Sequence, residues 1–261
     1  LKACPSLKLI CICATGTNNV DLEAARERGI TVCNVSGYAR ASVAQHTLTL
    51  MLSLATRWHQ YDRDVKAGAW SRAAQFCLLN HPIMELAGKT LGLIGHGDLG
   101  REVARLAEAL GMQVLVAESF RRHGGQSGRV ALAELLPQAD VLSLHCPLTA
   151  QTDKLVNASF IAQMKPGAFL INTARGGLID EPALADALRS GHLGGAGLDV
   201  LSSEPPPVDH PLLAADIPNL IITPHNAWGT RECRQRLLDG VVENIRQWQA
   251  GSAINVVNAS P

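Results

Sequence analysis

Three ionisable residues fall just past apolar, strand-like runs. Arg175 ends "FLINTAR", Glu204 follows "GLDVLSS" and His225 follows "LIITP". In open α/β sheets, ligands bind at the carboxyl ends of the strands. The three together suit hydride exchange between a hydroxy acid and a nicotinamide. An arginine can hold a carboxylate bidentately and polarise the adjacent carbonyl. A histidine, ordinarily titrating near about 6.5, can take the hydroxyl proton or return it. A neighbouring carboxylate orients the ring and favours its protonated form. Each residue alone has an ordinary structural explanation; the conjunction on successive strand ends carries the chemistry.

A second feature is "LGLIGHGDLG", Leu91 to Gly100, with Gly95, Gly97 and Gly100 spaced G-x-G-x-x-G. That spacing is weak evidence alone, because glycine is common in turns. Its context is stronger. The loop follows a strand, opens a helix, and is followed at the next strand end by Glu118 in "VLVAES". Gly95 permits the tight turn, Gly97 lets backbone approach a pyrophosphate, and Gly100 lets the helix pack close. The helix N-terminus offers free N–H groups to phosphate. His96, Asp98 and Leu99 complete the loop; Asp98 reads as an exposed first-turn residue that favours the helix dipole. Glu118 can accept from the adenosine ribose hydroxyls and repel a 2′-phosphate. Arg121 and Arg122 could pair with a 2′-phosphate, stack on adenine or stay solvated. Glu118 lies nearer the ribose position, so NAD is expected, with NADP the alternative.

These residues need a scaffold, and the chain supplies alternating strands and helices. "LKLICICA" and "ITVCNV" read as strands around the helix "DLEAARERG". A long helix is expected from about Ala41 to Ala67, with apolar faces too wide for one buried stripe. It and the following loop, carrying Trp70 and Phe76, suggest a homodimer. Regular alternation then runs from "TLGLIG" through "LIITPHNA", and an amphipathic helix closes the chain from about Thr230 to Ala250. This order argues an α/β fold with a Rossmann-type doubly wound parallel sheet. The expected division is a substrate domain at 1–39, a cofactor domain at 40–229, and a helix and tail at 230–261 returning to the first.

Composition narrows the class. The 261 residues are 47% hydrophobic and 18% charged, enough for proper cores, and formal net charge is +0. Neither nucleic acid nor an anionic membrane is favoured electrostatically, and 4% aromatics leave little for base stacking. No apolar run reaches the roughly 18 residues of a membrane helix. The seven cysteines include no C-x-x-C pair. They read as reduced core residues of a cytoplasmic protein, with Cys11 and Cys13 on one face of the first strand. No metal site is expected.

With these motifs in view, the chain resembles the D-isomer-specific 2-hydroxyacid dehydrogenases along essentially its whole length. The resemblance is carried by "LKLICICATGTNNVDLEAARERGITVCNV", "SVAQHT", "GKTLGLIGHGDLGREVARLAEALGM", "LHCPLTAQT", "MKPGAFLINTARGGLIDEPAL", "GAGLDVLSSEP" and "ITPHNAW". It implies Arg175 for the substrate carboxylate and carbonyl, His225 as acid/base, and Glu204 as its partner. It implies that Thr15 and Gly16 bring backbone N–H groups to the carboxylate. It places His145, Cys146, Pro147 and Thr152 along the cofactor, and Thr173, Ala174, Asp199 and His225 near the nicotinamide. "QFCLLNHPIMELAGKTLGLIGHGDLG" is most similar to bacterial glycerate dehydrogenases, also called hydroxypyruvate reductases. Hydroxypyruvate or glyoxylate is therefore the expected substrate. Lactate-type and phosphoglycerate-type dehydrogenases share the trio, and so do corepressor-like relatives that sense dinucleotide. The family usually carries a further strand-helix-strand-helix unit before "LKLICICATG". The resemblance thus implies an incomplete flavodoxin-like substrate domain, and a chain that binds dinucleotide better than it catalyses.

Overall fold

The computed structural model describes residues 1, 3–120 and 128–259. Arg121 and Arg122, weighed above as partners for a 2′-phosphate, lie outside the described residues. The chain forms two compact units, Leu1–Ser42 with Trp228–Pro261, and Val43–Ala227.

In the first unit, β1 (Leu9–Cys11) and β2 (Thr31–Cys33) pair in parallel, joined by α1 (Leu22–Glu27). Asp21 caps α1 by accepting from Ala24 N at 3.0 Å, and Gly29 leaves it at φ +64°, a conformation glycine adopts freely. Ile12, Ala25, Ile30 and Val32 form the core. The final helix, α8 (Arg231–Gln249), is capped by Thr230 Oγ1, which accepts from Cys233 N at 3.2 Å. Buried Asn244 donates to Asn34 O at 2.8 Å. The tail continues along β2, where Asn258 Oδ1 accepts from Val32 N at 2.9 Å and its Nδ2 donates to Ile30 O at 2.8 Å.

β1 is shorter than the sequence suggests and ends at Cys11. Cys13 is exposed beyond it, so the two thiols do not share a strand face. Of the seven cysteines, all free, only Cys33, Cys146 and Cys233 are buried.

The second unit holds six parallel strands: β3 (Thr90–Ile94), β4 (Gln113–Val116), β5 (Val141–Leu144), β6 (Phe169–Asn172), β7 (Gly195–Leu198) and β8 (Leu220–Ile222). Their spatial order is β4-β3-β5-β6-β7-β8. The chain leaves β3 toward one edge and returns on its other side at β5, so the switch point lies at the C-terminal end of β3. That is where doubly wound sheets bind ligands.

The strands are apolar on both faces because helices cover both. Leu91, Leu93, Phe169 and Ile171 face a core shared with α2 (Arg40–Thr56) and α4 (Asp98–Ala109). Ile94, Leu142, Leu144 and Leu170 face the other, with α5 (Leu132–Leu135), α6 (Ala158–Ile161) and α7 (Glu181–Arg189). Successive residues alternate between these cores, as the period of two requires.

The long helix expected over 41–67 is two helices. α2 stops at Thr56, and α3 runs Trp58–Lys66. Arg57 between them is left-handed, at φ +55°. Met84 N donates to Ala55 O at 2.8 Å and the Trp58 indole donates to Ser53 Oγ at 2.9 Å, which fixes the break. The breadth of apolar residues on α2 is real. Its exposed positions are Arg40 and Ala41 at the start and then Gln45, Thr49, Leu52 and Thr56, one narrow stripe, and most of the remainder is buried.

At the opposite end of the sheet from the switch point, Asp140 accepts from Thr90 N at 2.9 Å and from Lys165 Nζ at 2.7 Å. Burial alone would raise its carboxyl. The Lys165 hydrogen bond, the Thr90 N–H and the lysine charges outweigh that and hold it below the ordinary value. A depressed carboxyl stabilises the fold above its unfolded value, about 3.9, and that stabilisation fades as pH falls through the folded value. Asp140→Asn should therefore lose about 1–3 kcal/mol at neutral pH. The difference from the parent in urea unfolding should close as pH drops below about 4. A gap independent of pH would show that the charge is irrelevant there.

Candidate active site

The glycine loop sits at the switch point. Gly95 has φ +98°, and a Cβ there would lie 2.6 Å from Cys146 N. Gly100 cannot carry a Cβ without entering the carbonyl of Gly95. Gly97, the N-cap of α4, has nothing within 4 Å of a Cβ position. The first helical bond, Arg101 N to Gly97 O at 2.9 Å, leaves the N–H groups of the first turn directed outward. Open space over Gly97 and donors at a helix N-terminus fit a dinucleotide pyrophosphate. Asp98 pairs with Arg101 across one turn and is exposed, consistent with a dipole-facing surface residue. His96 is held below its ordinary value by burial, then by the charges of Arg129 and Arg101. Leu99 is half-buried.

Glu118 lies two residues beyond β4, its N–H bonded to Val130 O at 2.9 Å. Arg129 donates to Ala117 O at 3.2 Å beside it.

The segment after β5 closes against the loop. His145 N donates to Ile94 O at 2.7 Å. The His145 ring is enclosed, with Nε2 2.9 Å from Ser143 Oγ, and burial pushes its pKa down to about 4. It is neutral at physiological pH. Among the described residues its buried Nδ1 meets no hydrogen-bond partner, so one polar atom beneath the loop remains to be satisfied. Burial pushes the Cys146 thiol up to about 11, so it is an unreactive packing group. Thr152, buried, donates to Pro147 O at 2.7 Å and accepts from Thr149 N at 2.8 Å, tying the loop into a turn.

Past β6, Asn172 makes the next turn. Its Oδ1 accepts from Ala174 N at 3.0 Å and its Nδ2 donates to Arg175 O at 2.9 Å. Thr173 Oγ1 lies 3.0 Å from Thr47 Oγ1. Thr47 spends its own proton on Val43 O, so Thr173 donates. The Arg175 guanidinium donates to Ala174 O at 2.7 Å. A Cβ on Gly176 would fall inside the backbone of Leu201 and Ser202, so this turn presses directly on the loop that carries Glu204.

Glu204 and His225 meet. Nδ1 of His225 is 2.7 Å from Glu204 Oε2. A carboxylate only accepts, so Nδ1 carries the proton and Nε2 is the atom that exchanges one. The other oxygen, Oε1, accepts from Leu201 N at 3.0 Å. Side-chain exposures of 43% and 37% leave the pair open to a small molecule.

His225 stands at φ +49°, a region costing a non-glycine residue about 1–2 kcal/mol. The surroundings enforce it. His225 N donates to Asp199 O at 2.8 Å and Thr223 O at 2.9 Å. The buried Asp199 carboxylate accepts from Thr223 Oγ1 at 2.6 Å, Asn226 N at 3.0 Å and Ala227 N at 2.9 Å. Thr223 Oγ1, its proton so used, accepts from His46 Nε2 at 2.8 Å. Strain maintained by so many bonds is characteristic of a working site.

The second unit thus gathers the glycine loop, the His145–Thr152 loop, the Asn172–Gly176 turn and the Glu204–His225 pair at the C-terminal ends of its strands. Thr15 belongs to the first unit, where its hydroxyl donates to Val35 O at 3.1 Å and its carbonyl accepts from Asn34 Nδ2 at 2.7 Å. Gly16 follows it. The sequence did not single out Asn172, Gly176, His46, Glu181, Ser202 or His210. Only the asparagine, at a strand end before a turn, carries a local signal. Among the described residues, no group of three His, Cys, Asp or Glu side chains could hold a metal ion, and no helix is long and apolar enough to cross a membrane.

Comparison with known proteins agrees with this geometry. Residues 48–227 match the family described as D-isomer specific 2-hydroxyacid dehydrogenase, NAD binding domain. A glycerate dehydrogenase of Methylorubrum extorquens is 48% identical over 99% of this chain and 81% of its own length. A hydroxypyruvate reductase of Blautia hydrogenotrophica is 42% identical over 98% of this chain and 80% of its own. The structure of a D-lactate dehydrogenase from Aquifex aeolicus with NAD and lactic acid is 34% identical at a TM-score of 0.84, covering 98% of this chain and 82% of that one. The chain belongs to the D-isomer-specific 2-hydroxyacid dehydrogenases, NAD-dependent oxidoreductases acting on CH–OH donors.

Proposed function

We propose that the protein reduces hydroxypyruvate, and glyoxylate beside it, to D-glycerate and glycolate. The observation that carries the chemistry is the Glu204–His225 hydrogen bond at 2.7 Å. The 48% identity to a glycerate dehydrogenase supports the substrate. NADH, held along the glycine loop at Gly95, Gly97 and Gly100, would supply the hydride for the carbonyl carbon. His225, protonated on both nitrogens, gives its Nε2 proton to the carbonyl oxygen as the hydroxyl forms, and takes it back in the oxidation direction. Glu204 keeps Nδ1 protonated and the ring oriented, and stabilises the imidazolium. Arg175 holds the substrate carboxylate and polarises the carbonyl. On the resemblance, Thr15 and Gly16 donate backbone N–H groups to that carboxylate. The glycine loop, with Glu118, His145, Cys146, Pro147, Thr152, Thr173, Ala174 and Asp199, forms the cofactor's side of the site.

A panel of 2-oxo acids tests this, each assayed with NADH and with NADPH. Hydroxypyruvate and glyoxylate should lead, with pyruvate well behind, and NADH should be preferred. Glu118→Ser should relax that preference about tenfold, equivalent to roughly 1.4 kcal/mol. A parent enzyme with higher kcat/KM for NADPH would refute the role of Glu118. Dinucleotide binding without turnover of any 2-oxo acid would favour a sensing protein instead.

We further propose a homodimer formed through the region after α2. Trp58, Val65, Trp70, Phe76, Leu79 and Ile83 are large, apolar and exposed, Phe76 at 90%. A cluster of this kind on one surface segment marks an interaction site. Light scattering should give twice the chain mass, and a monomer resistant to concentration would refute it. Free thiols throughout and an NADH-dependent reaction suit a reducing compartment, so we place the protein in the cytoplasm.

A further inference from the structure

The loop bearing Glu204 is secured by a carboxylate that the reaction itself does not use. Glu181, the first residue of α7, is only 7% exposed. Its Oε1 accepts from Ser202 N at 2.8 Å. Its Oε2 accepts from the Ser202 hydroxyl and from His210 Nε2, the latter at 3.1 Å. His210 is buried too, and its Nδ1 accepts from Leu212 N at 3.2 Å. That backbone bond fixes the tautomer: Nε2 carries the proton and must donate to Glu181. One buried carboxylate thereby fastens the chain at Ser202 and again at His210, on either side of Glu204. Gly176 presses the backbone of Leu201 and Ser202 from below, and Leu201 N then reaches Glu204 Oε1. Buried charges are costly unless so fully bonded, and a network with every member satisfied is rigid.

We propose that Glu181, acting through Ser202 and His210, is the positioning residue that keeps Glu204 within hydrogen-bond reach of His225. This rests on the acid/base reading given above. The ionisable groups bonded to the two loops concerned are Glu181, His210 and Glu204 on one, and His225, Asp199 and His46 on the other. Asp199 turns its oxygens to Thr223, Asn226 and Ala227, with His46 Nε2 at 3.5 Å. It steadies the His225 loop, where all three of these bonds are made.

In Glu181→Gln, an amide donor replaces one acceptor and faces the donors Ser202 and His210. The Glu204 loop should then loosen. Assayed with hydroxypyruvate and NADH, kcat should fall about tenfold, since small misplacements of an acid/base partner are costly. The pH profile should change in the same direction as it does in Glu204→Gln. NADH affinity, read by fluorescence, should change less than about twofold because the glycine loop is untouched. The double variant Glu181→Gln/Glu204→Gln should be no worse than Glu204→Gln alone, because both act through one bond. Ser202→Ala and His210→Gln remove single strands of the network and should give smaller shifts the same way. They carry the test if Glu181→Gln does not fold. If Glu204→Gln moves the profile and none of the other three does, or if the double variant is additive, Glu181 is a packing residue only. If Glu204→Gln itself leaves the profile unmoved, the acid/base pairing falls and this inference falls with it.

Discussion

Replacing His225 by alanine should lower kcat for hydroxypyruvate reduction about 10²–10⁴-fold, the usual worth of a positioned acid/base group. NADH should still bind, because the glycine loop and the His145–Thr152 loop do not depend on this side chain. Alanine alone is ambiguous, however. His225 sits at φ +49°, and alanine resists that conformation, so the loop could move as well as lose a proton donor. Asparagine separates the two effects. It tolerates the left-handed region, and its side-chain amide can still donate toward Glu204. It has no proton to transfer at neutral pH. If proton transfer is the role, His225→Asn should be as slow as His225→Ala. Recovery of most of the rate in the asparagine variant would mean that the residue shapes the loop. Near-normal turnover in both would remove His225 from the chemistry altogether.

What could be read from the chain beforehand divides along a physical line. The glycine loop was legible because its spacing, the strand before it and the helix after it are all local. The meeting of Glu204 with His225 was legible because strand ends in a doubly wound sheet converge, and the turn that bears Arg175 abuts the same loop through Gly176. The break at Arg57 was not. "LATRWHQ" contains no glycine or proline, and the left-handed turn is imposed by contacts distant in sequence, such as Met84 N to Ala55 O and Arg57 to Gly194 O at 3.3 Å. Glu181 was hidden for the opposite reason. An acidic residue in a first helical turn has an adequate local explanation in the helix dipole, and nothing in "LIDEPAL" foretells Ser202 and His210. Asp199 was placed near the nicotinamide by resemblance. In the structure both its oxygens are engaged in holding Asn226, Ala227 and Thr223.

The glycines themselves give the second large effect, and two of them should fail differently. Gly95→Ala places a methyl 2.5 Å from His145 O and 2.6 Å from Cys146 N, both backbone atoms that cannot swing aside. It also forces φ +98° on a residue with a side chain, which only glycine tolerates. The β3–α4 turn and the His145 segment must separate. Thermal stability should drop by several degrees, and NADH binding should weaken about a hundredfold or more as the donors at the start of α4 lose their alignment. Gly97→Ala is the control with opposite expectations. Its φ of −80° suits alanine, and a methyl there meets nothing within 4 Å. The protein should fold with unchanged stability. Yet that empty volume is where a pyrophosphate must come against the backbone, so NADH affinity should still fall, by about tenfold or more. Fluorescence titration beside a melting curve reads both quantities for each variant. Should Gly97→Ala bind NADH as the parent does, the dinucleotide does not lie against this loop, and the fit inferred from the open space over α4 is wrong. Should Gly95→Ala keep its melting temperature, the contact with His145 and Cys146 is not what determines the turn.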